Sequence, residues 1–140
     1  MNITISSIFP EAGYNFNISY KIHEIIASEI NEALTDLGTF DLTFGKDFDL
    51  GIIVSTKRKV NDLYVQGPAI FKREKIVDFT IWIPFREVKN SSSYTNSYID
   101  YLIKGILELF ERYDIDTTID KDFIDRIKLK CNITMPPARA

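Results

Sequence analysis

The stretch VDFTIWIPF, residues 77–85, alternates without a break. Successive side chains of an extended strand point to opposite faces. Val77, Phe79, Ile81, Ile83 and Phe85 therefore share one face, and Ile76, Asp78, Thr80, Trp82 and Pro84 share the other. The first face is a complete core face, which calls for a sheet buried on that side. The chain's single tryptophan is left on the opposite face, beside an aspartate and a threonine. A partly exposed tryptophan is a favoured interface anchor, because it offers large contact area at low entropic cost. Trp82 is thus read as packing either against a second molecule or under the chain's own loop 89–97 or its ends.

The remaining elements follow from periodicity. Residues 2–9 read as a first strand, closed by the turn PEAG at 10–13. Apolar residues then recur at Ile18, Ile22, Ile25, Ile26, Ile30, Ala33, Leu34 and Leu37, one face of a helix that Gly38 would stop. Four strand-like runs follow: FDLTF (40–44), LGIIVST (50–56), DLYVQGPAIF (62–71) and the strand containing 77–85. Pro68 has no N–H for a ladder, so the third of these holds a bulge or lies at a sheet edge. KRK (57–59) and KREK (72–75) read as hairpin turns, and the spacing is that of an antiparallel meander. A second helix starts near Tyr94, with Tyr98, Ile99, Leu102, Ile103, Ile106, Leu109, Phe110 and Tyr113 on its apolar side. Gly105 within it costs about 1 kcal/mol relative to alanine, and such a glycine often marks a close backbone contact. IKLKCNITM (127–135) alternates and reads as a last strand, after a helical turn around DKDFID.

The expected order is β-α-β-β-β-β-α-β. Its economical packing is an α+β fold: one mainly antiparallel twisted sheet with two helices on one face and the other face partly open to water. The 140 residues suit one domain, 1–135, followed by a flexible tail, 136–140.

Charge and motifs narrow the function mostly by exclusion. The net charge of −3 gives no electrostatic footprint for nucleic acid or an anionic membrane. No apolar run approaches the roughly 20 residues of a membrane span, and no secretion signal is apparent. Cys131, the only cysteine, permits no internal disulfide and fits a reducing compartment. His23, the only histidine, has no partner set for general-base or metal chemistry and reads as structural; Cys131 reads as a buried thiol. DIDTTIDKDFID (114–125) places acids at the spacing of a calcium loop, but Ile119 stands where the turn needs glycine and Asp125 where a bidentate glutamate belongs. It reads instead as a solvated acidic loop or as a patch for a basic partner. FGKD (44–47) lacks the rest of a phosphate loop. No catalytic set, cofactor or metal is expected.

The stretch GPAIFKREKIVDFTIWIPF, the polar loop after it and the helix SYIDYLIKGILELFERY resemble in pattern the small α+β immunity proteins of bacterial contact-dependent inhibition and related polymorphic toxin systems. The resemblance covers residues 67–113 and carries no diagnostic motif. It implies a cytoplasmic, non-catalytic antitoxin that neutralises one cognate toxin domain, nucleases being frequent among these toxins, by direct contact. It implies no direct contact with nucleic acid or membrane, and a monomer or weak homodimer. Asp78, Thr80 and Trp82 would then form the apolar-centred contact, and Asp114, Asp116, Asp120 and Asp122 an acidic one that speeds encounter with a basic toxin. The alternative is a small acidic secretion chaperone that binds an extended segment. A third reading, an enzyme or ligand-binding domain, needs polar groups between helices and sheet, where the expected residues are nearly all apolar.

Overall fold

The central strand alternates as the sequence requires: Val77, Phe79, Ile81 and Ile83 are buried, while Ile76, Asp78, Thr80 and Trp82 are half-buried. The computed structural model describes residues 2–8, 16–36, 38–55, 62–84, 87–88 and 94–134. The expected turns at 10–13 and 57–59, the side chain of Phe85 and the tail 136–140 lie outside these residues. The described elements are β1 (Ile3–Ile8), α1 (Phe16–Ala33), β2 (Leu34–Asp36), α2 (Phe40–Phe44), β3 (Asp49–Ser55), β4 (Tyr64–Phe71), β5 (Ile76–Trp82), α3 (Tyr94–Arg112), β6 (Asp116–Thr117) and α4 (Lys121–Thr134).

The fold is α+β, with a four-stranded mixed sheet in the order β1-β3-β5-β4. The expected antiparallel meander is corrected here. β1 pairs with β3, and β3 with β5, in parallel; only β4 and β5 are antiparallel. From β3 the chain passes over one position to form β4 at the edge, and Lys72–Lys75 then turn it back so that β5 fills the gap. Pro68 explains this order. A strand that lacks one ladder donor is tolerated at an edge, and the pairing slips between Gln66 and Ala69, around Gly67-Pro68.

Two segments expected as strands are helices. FDLTF is α2, which turns Phe40 and Phe44 together onto Tyr113, with ring centroids 6.1 Å and 5.2 Å from it, while Tyr113 in turn meets Phe79 of β5. Residues 127–134 of IKLKCNITM belong to α4, where Phe123, Ile127 and Cys131 form a buried stripe at four-residue steps and Leu129 is exposed. The first helix also ends sooner than expected, at Ala33. Leu34–Asp36 extend to pair with β6, and the Ala33 carbonyl accepts a hydrogen bond from the N–H of Thr118. Gly38 is left-handed, with φ +56°, but it serves the turn into α2.

Helices α1 and α3 cover one side of the sheet. Ile22, Ile26 and Ile30 of α1, and Ile99, Leu102, Ile103, Ile106 and Leu109 of α3, join Leu50, Ile52, Val54, Val77, Phe79 and Ile81 in one buried cluster. Helix α4 is tied to both: Lys130 and Arg126 pair with Glu29 of α1, and Lys128 with Asp100 of α3 at 2.7 Å. Helix α3 approaches the sheet closely at Gly105. A Cβ there would stand 2.8 Å from Ile81 Cγ2 and 3.0 Å from Ile81 Cδ1, closer than carbon atoms pack.

Gly105→Ala tests that contact. Helix propensity alone predicts a gain of about 1 kcal/mol, whereas overpacking a tight core costs about 1–3 kcal/mol. Because Ile81 is fully buried and branched at Cβ, overpacking is expected to win, giving a net loss of stability in urea unfolding. A more stable Gly105→Ala chain would refute the close contact.

Candidate functional site

With the helices on one side, the other face of the sheet can be read row by row from the strand register. Thr4, Gly51, Asp78 and Ala69 lie side by side across the four strands. The next row holds Ser6, Ile53, Thr80 and Gln66, and the one after it Ile8, Ser55, Trp82 and Tyr64. On the other side of the Asp78 row, Asp49, Ile76 and Phe71 are aligned. The face thus carries aromatic and aliphatic pairs toward both ends, Trp82–Tyr64 and Ile76–Phe71, with a lower row of small residues between them.

Trp82 is half-buried on this face, and its indole Nε1–H donates to Gln66 Oε1 at 3.1 Å. The bond ties the ring to β4, where Tyr64, aligned with Trp82, is about half exposed, as is Phe71. Loop residues 89–93 lie outside the described residues, and with them the expectation that this loop covers Trp82. Ser55, level with Trp82, is fully buried, and its Oγ meets no hydrogen-bond partner among the described residues.

Asp78 lies at the centre. A Cβ on Gly51 would stand 2.0 Å from its Oδ1, so glycine is what allows the carboxylate to lie down across β3. Partial burial raises the Asp78 pKa above the usual aspartate value. No described residue donates a hydrogen bond to this carboxylate or pairs with it as a cation. Thr80, one row on, is half-buried between Ile53 and Gln66.

The acidic set falls elsewhere. Asp114 occupies a positive-φ turn after α3, and Asp116 lies in β6 opposite Asp36. Asp120 caps α4, its Oδ1 accepting from the Phe123 N–H at 2.8 Å, and Asp122 stands in the first turn of that helix, where an acid favours the helix dipole. These four are exposed and belong with the helical layer, apart from Asp78, Thr80 and Trp82. Among the described residues no three His, Cys, Asp or Glu side chains gather closely enough to hold a metal ion. A hollow of about 410 Å³, open to solvent, lies along the flank of α3, lined by Asp62, Leu63, Glu87, Tyr101, Lys104 and Glu108. Reading the sequence did not single it out, because its residues are brought together from three separate segments.

The two groups most often recruited for chemistry are withdrawn from solvent. The Cys131 thiol is fully buried, and desolvation pushes its pKa up to about 11. His23 lies between α1 and α3, with Nε2 2.6 Å from Tyr98 Oη; burial lowers its pKa to about 4, so it is neutral at pH 7. Both sheet edges are also modified. Asn31 of α1 clamps the outer edge of β1: its Oδ1 accepts from the Ile3 N–H at 2.8 Å, and its Nδ2 donates to the Ile3 carbonyl at 3.1 Å. On β4, Arg112 donates to the Val65 carbonyl at 3.3 Å.

No protein-family model matches the chain, and comparison with curated proteins and with solved structures finds no match either. None of the described helices is long and apolar enough to cross a membrane.

The His23 environment makes stability depend on pH. The folded imidazole titrates near 4 and the unfolded one near 6.5, so between those values the unfolded chain binds the extra proton. Stability is fully retained above the unfolded value and falls as pH drops toward 4, by about 3 kcal/mol in total. Urea unfolding at pH 7 and at pH 4.5 is expected to show this loss. His23→Gln, which can still hydrogen-bond Tyr98 but does not titrate, should show a smaller loss over the same interval; equal losses in the two chains would contradict the linkage.

Proposed function

We propose that this chain is a non-catalytic protein-binding module that docks a partner on the open face of its sheet. In our reading it acts as an immunity protein, neutralising a cognate toxin domain by direct contact. The observation that carries the proposal is the sheet face that none of the described helices α1 to α4 covers, on which Trp82 is half-buried, with Tyr64 level with it on the neighbouring strand. A large amphipathic ring held by one hydrogen bond is the kind of residue that dominates binding energy at interfaces. Asp78 and Thr80 share the face and complete the contact. The exposed acids Asp114, Asp116, Asp120 and Asp122 add to long-range attraction for a basic toxin, an effect on encounter rate more than on affinity.

The secretion-chaperone reading receives less support. Capture of an extended segment commonly adds a strand to an exposed sheet edge. Here Pro68 and the register slip interrupt β4, Arg112 occupies the Val65 carbonyl, and Asn31 occupies both backbone groups of Ile3 on β1. Such features blunt an edge against pairing. Docking on the face needs neither edge.

The test is growth rescue. The chain is co-expressed with the toxin domain encoded beside it at its native locus, and survival is expected. Trp82→Ala is expected to weaken binding by at least about 2 kcal/mol in calorimetric titration, and to reduce protection, while its circular dichroism spectrum is unchanged. Cell death in the presence of the unsubstituted chain would overturn the immunity reading. Undiminished affinity of Trp82→Ala would remove this face as the contact.

A further inference from the structure

The centre of the open face fixes the chemistry of what docks there. We infer that the partner presents an arginine or lysine side chain that pairs with Asp78 where its carboxylate lies across Gly51, with apolar side chains to either side against Ile76–Phe71 and Trp82–Tyr64. This rests on the docking reading above and adds the chemical character of the partner to it.

The geometry supplies the argument. Across the sheet at this level the neighbours of Asp78 are Gly51 and Ala69, with Thr4 beyond Gly51. Small residues on both sides make this row lower than the rows that hold Ile53 and Ile76. A long, slender cationic side chain fits such a trough better than a bulky apolar one. The carboxylate already lies flat over Gly51, with its acceptor lone pairs unused by any described residue. Burial holds it in a setting that disfavours its charge, as the raised pKa records. A cation arriving from outside relieves that cost, and charge-assisted hydrogen bonds are about twice as strong as neutral ones.

The spacing adds a constraint. Residues two apart on a strand lie about 7 Å apart, so the Ile76–Phe71 row is about 7 Å from Asp78 and the Trp82–Tyr64 row about 13 Å on the other side. The partner's cation therefore sits off centre between two apolar contacts. A second copy of this chain fits poorly. In a two-fold contact the same patch meets itself, which would bring one Asp78 toward another without a cation between them.

The experiment pans random dodecapeptides displayed on phage against the full chain, Asp78→Asn and Trp82→Ala. Peptides enriched on the unsubstituted chain are expected to carry an arginine or lysine flanked by apolar residues. A synthetic peptide from that set should bind Asp78→Asn about tenfold more weakly or worse. Replacing its basic residue with glutamine should cost the same factor, and combining both changes should cost no more than either alone. Asp78→Asn is expected to melt at the same temperature as the parent or higher, which separates lost binding from lost folding. Enriched peptides without a basic residue, or affinities indifferent to Asp78→Asn, would overturn the inference. So would a concentration-dependent dimer abolished by Trp82→Ala, which would assign the face to a second copy. The peptide test needs no toxin and the growth rescue is read on the unsubstituted chain, so either can fail alone.

Discussion

Burial of a single face of the β3–β5 pair is the constraint on which the rest of the structure depends. Leu50, Ile52 and Val54 stand level with Val77, Phe79 and Ile81, and all six are buried. A one-residue slip would turn either set toward the open face, so the register is strongly specified. The contact between Gly105 and Ile81 brings α3 close to that surface, and the His23–Tyr98 hydrogen bond joins α1 to α3. Tyr113 closes the far end by packing on Phe79 while receiving Phe40 and Phe44 from α2. Helices α1, α2 and α3 are therefore held through this face, and none of these contacts recruits the opposite one.

Much of this arrangement was legible in the sequence, and the two helices expected as strands share one physical cause. A spacing of four residues belongs to a strand face and to a helix face alike. Phe40 and Phe44, or Ile127 and Cys131, therefore fit either period. The residue in between decides: a strand would bury Leu42 and Leu129, and a helix exposes them. They are 88% and 60% exposed, the two most exposed large apolar side chains described. For α4 the deciding signal lay upstream, where Asp120 caps the helix and Phe123 extends the stripe to three turns. In β1, β3, β5 and α3 the alternation or the apolar stripe ran long enough to exclude the other period.

The strand order was partly legible as well. A proline-broken strand suits an edge, yet a meander would have put β4 between β3 and β5. Moving β4 outward and inserting β5 removes the conflict and makes β3 a central, parallel strand. Its run of apolar, β-branched residues suits that place, since central parallel strands are commonly covered on both faces. Here the cover on the second face is incomplete: Ile53 is only half-buried. The open face itself was readable from the position of Trp82. The low row through Gly51 and Ala69 was not, because it depends on pairings between strands that are distant in sequence.

His23 and Asp78 show how structural polar groups differ from those available to a partner when no motif marks either. Both are ionisable and both are pushed toward neutrality by desolvation. His23 is buried and its Nε2 meets the hydroxyl of Tyr98 inside the chain. Its neutral form is the one the core accepts, and a ligand approaching from solvent would find nothing to bind. Asp78 lies at the surface of the sheet with no described donor, on a glycine that allows it to lie flat. A threonine or valine in that position would suit a sheet better, by intrinsic preference, than an aspartate does. Packing among the described residues therefore accounts for the histidine and not for the aspartate, which is why the aspartate and not the histidine is the group we assign to a partner.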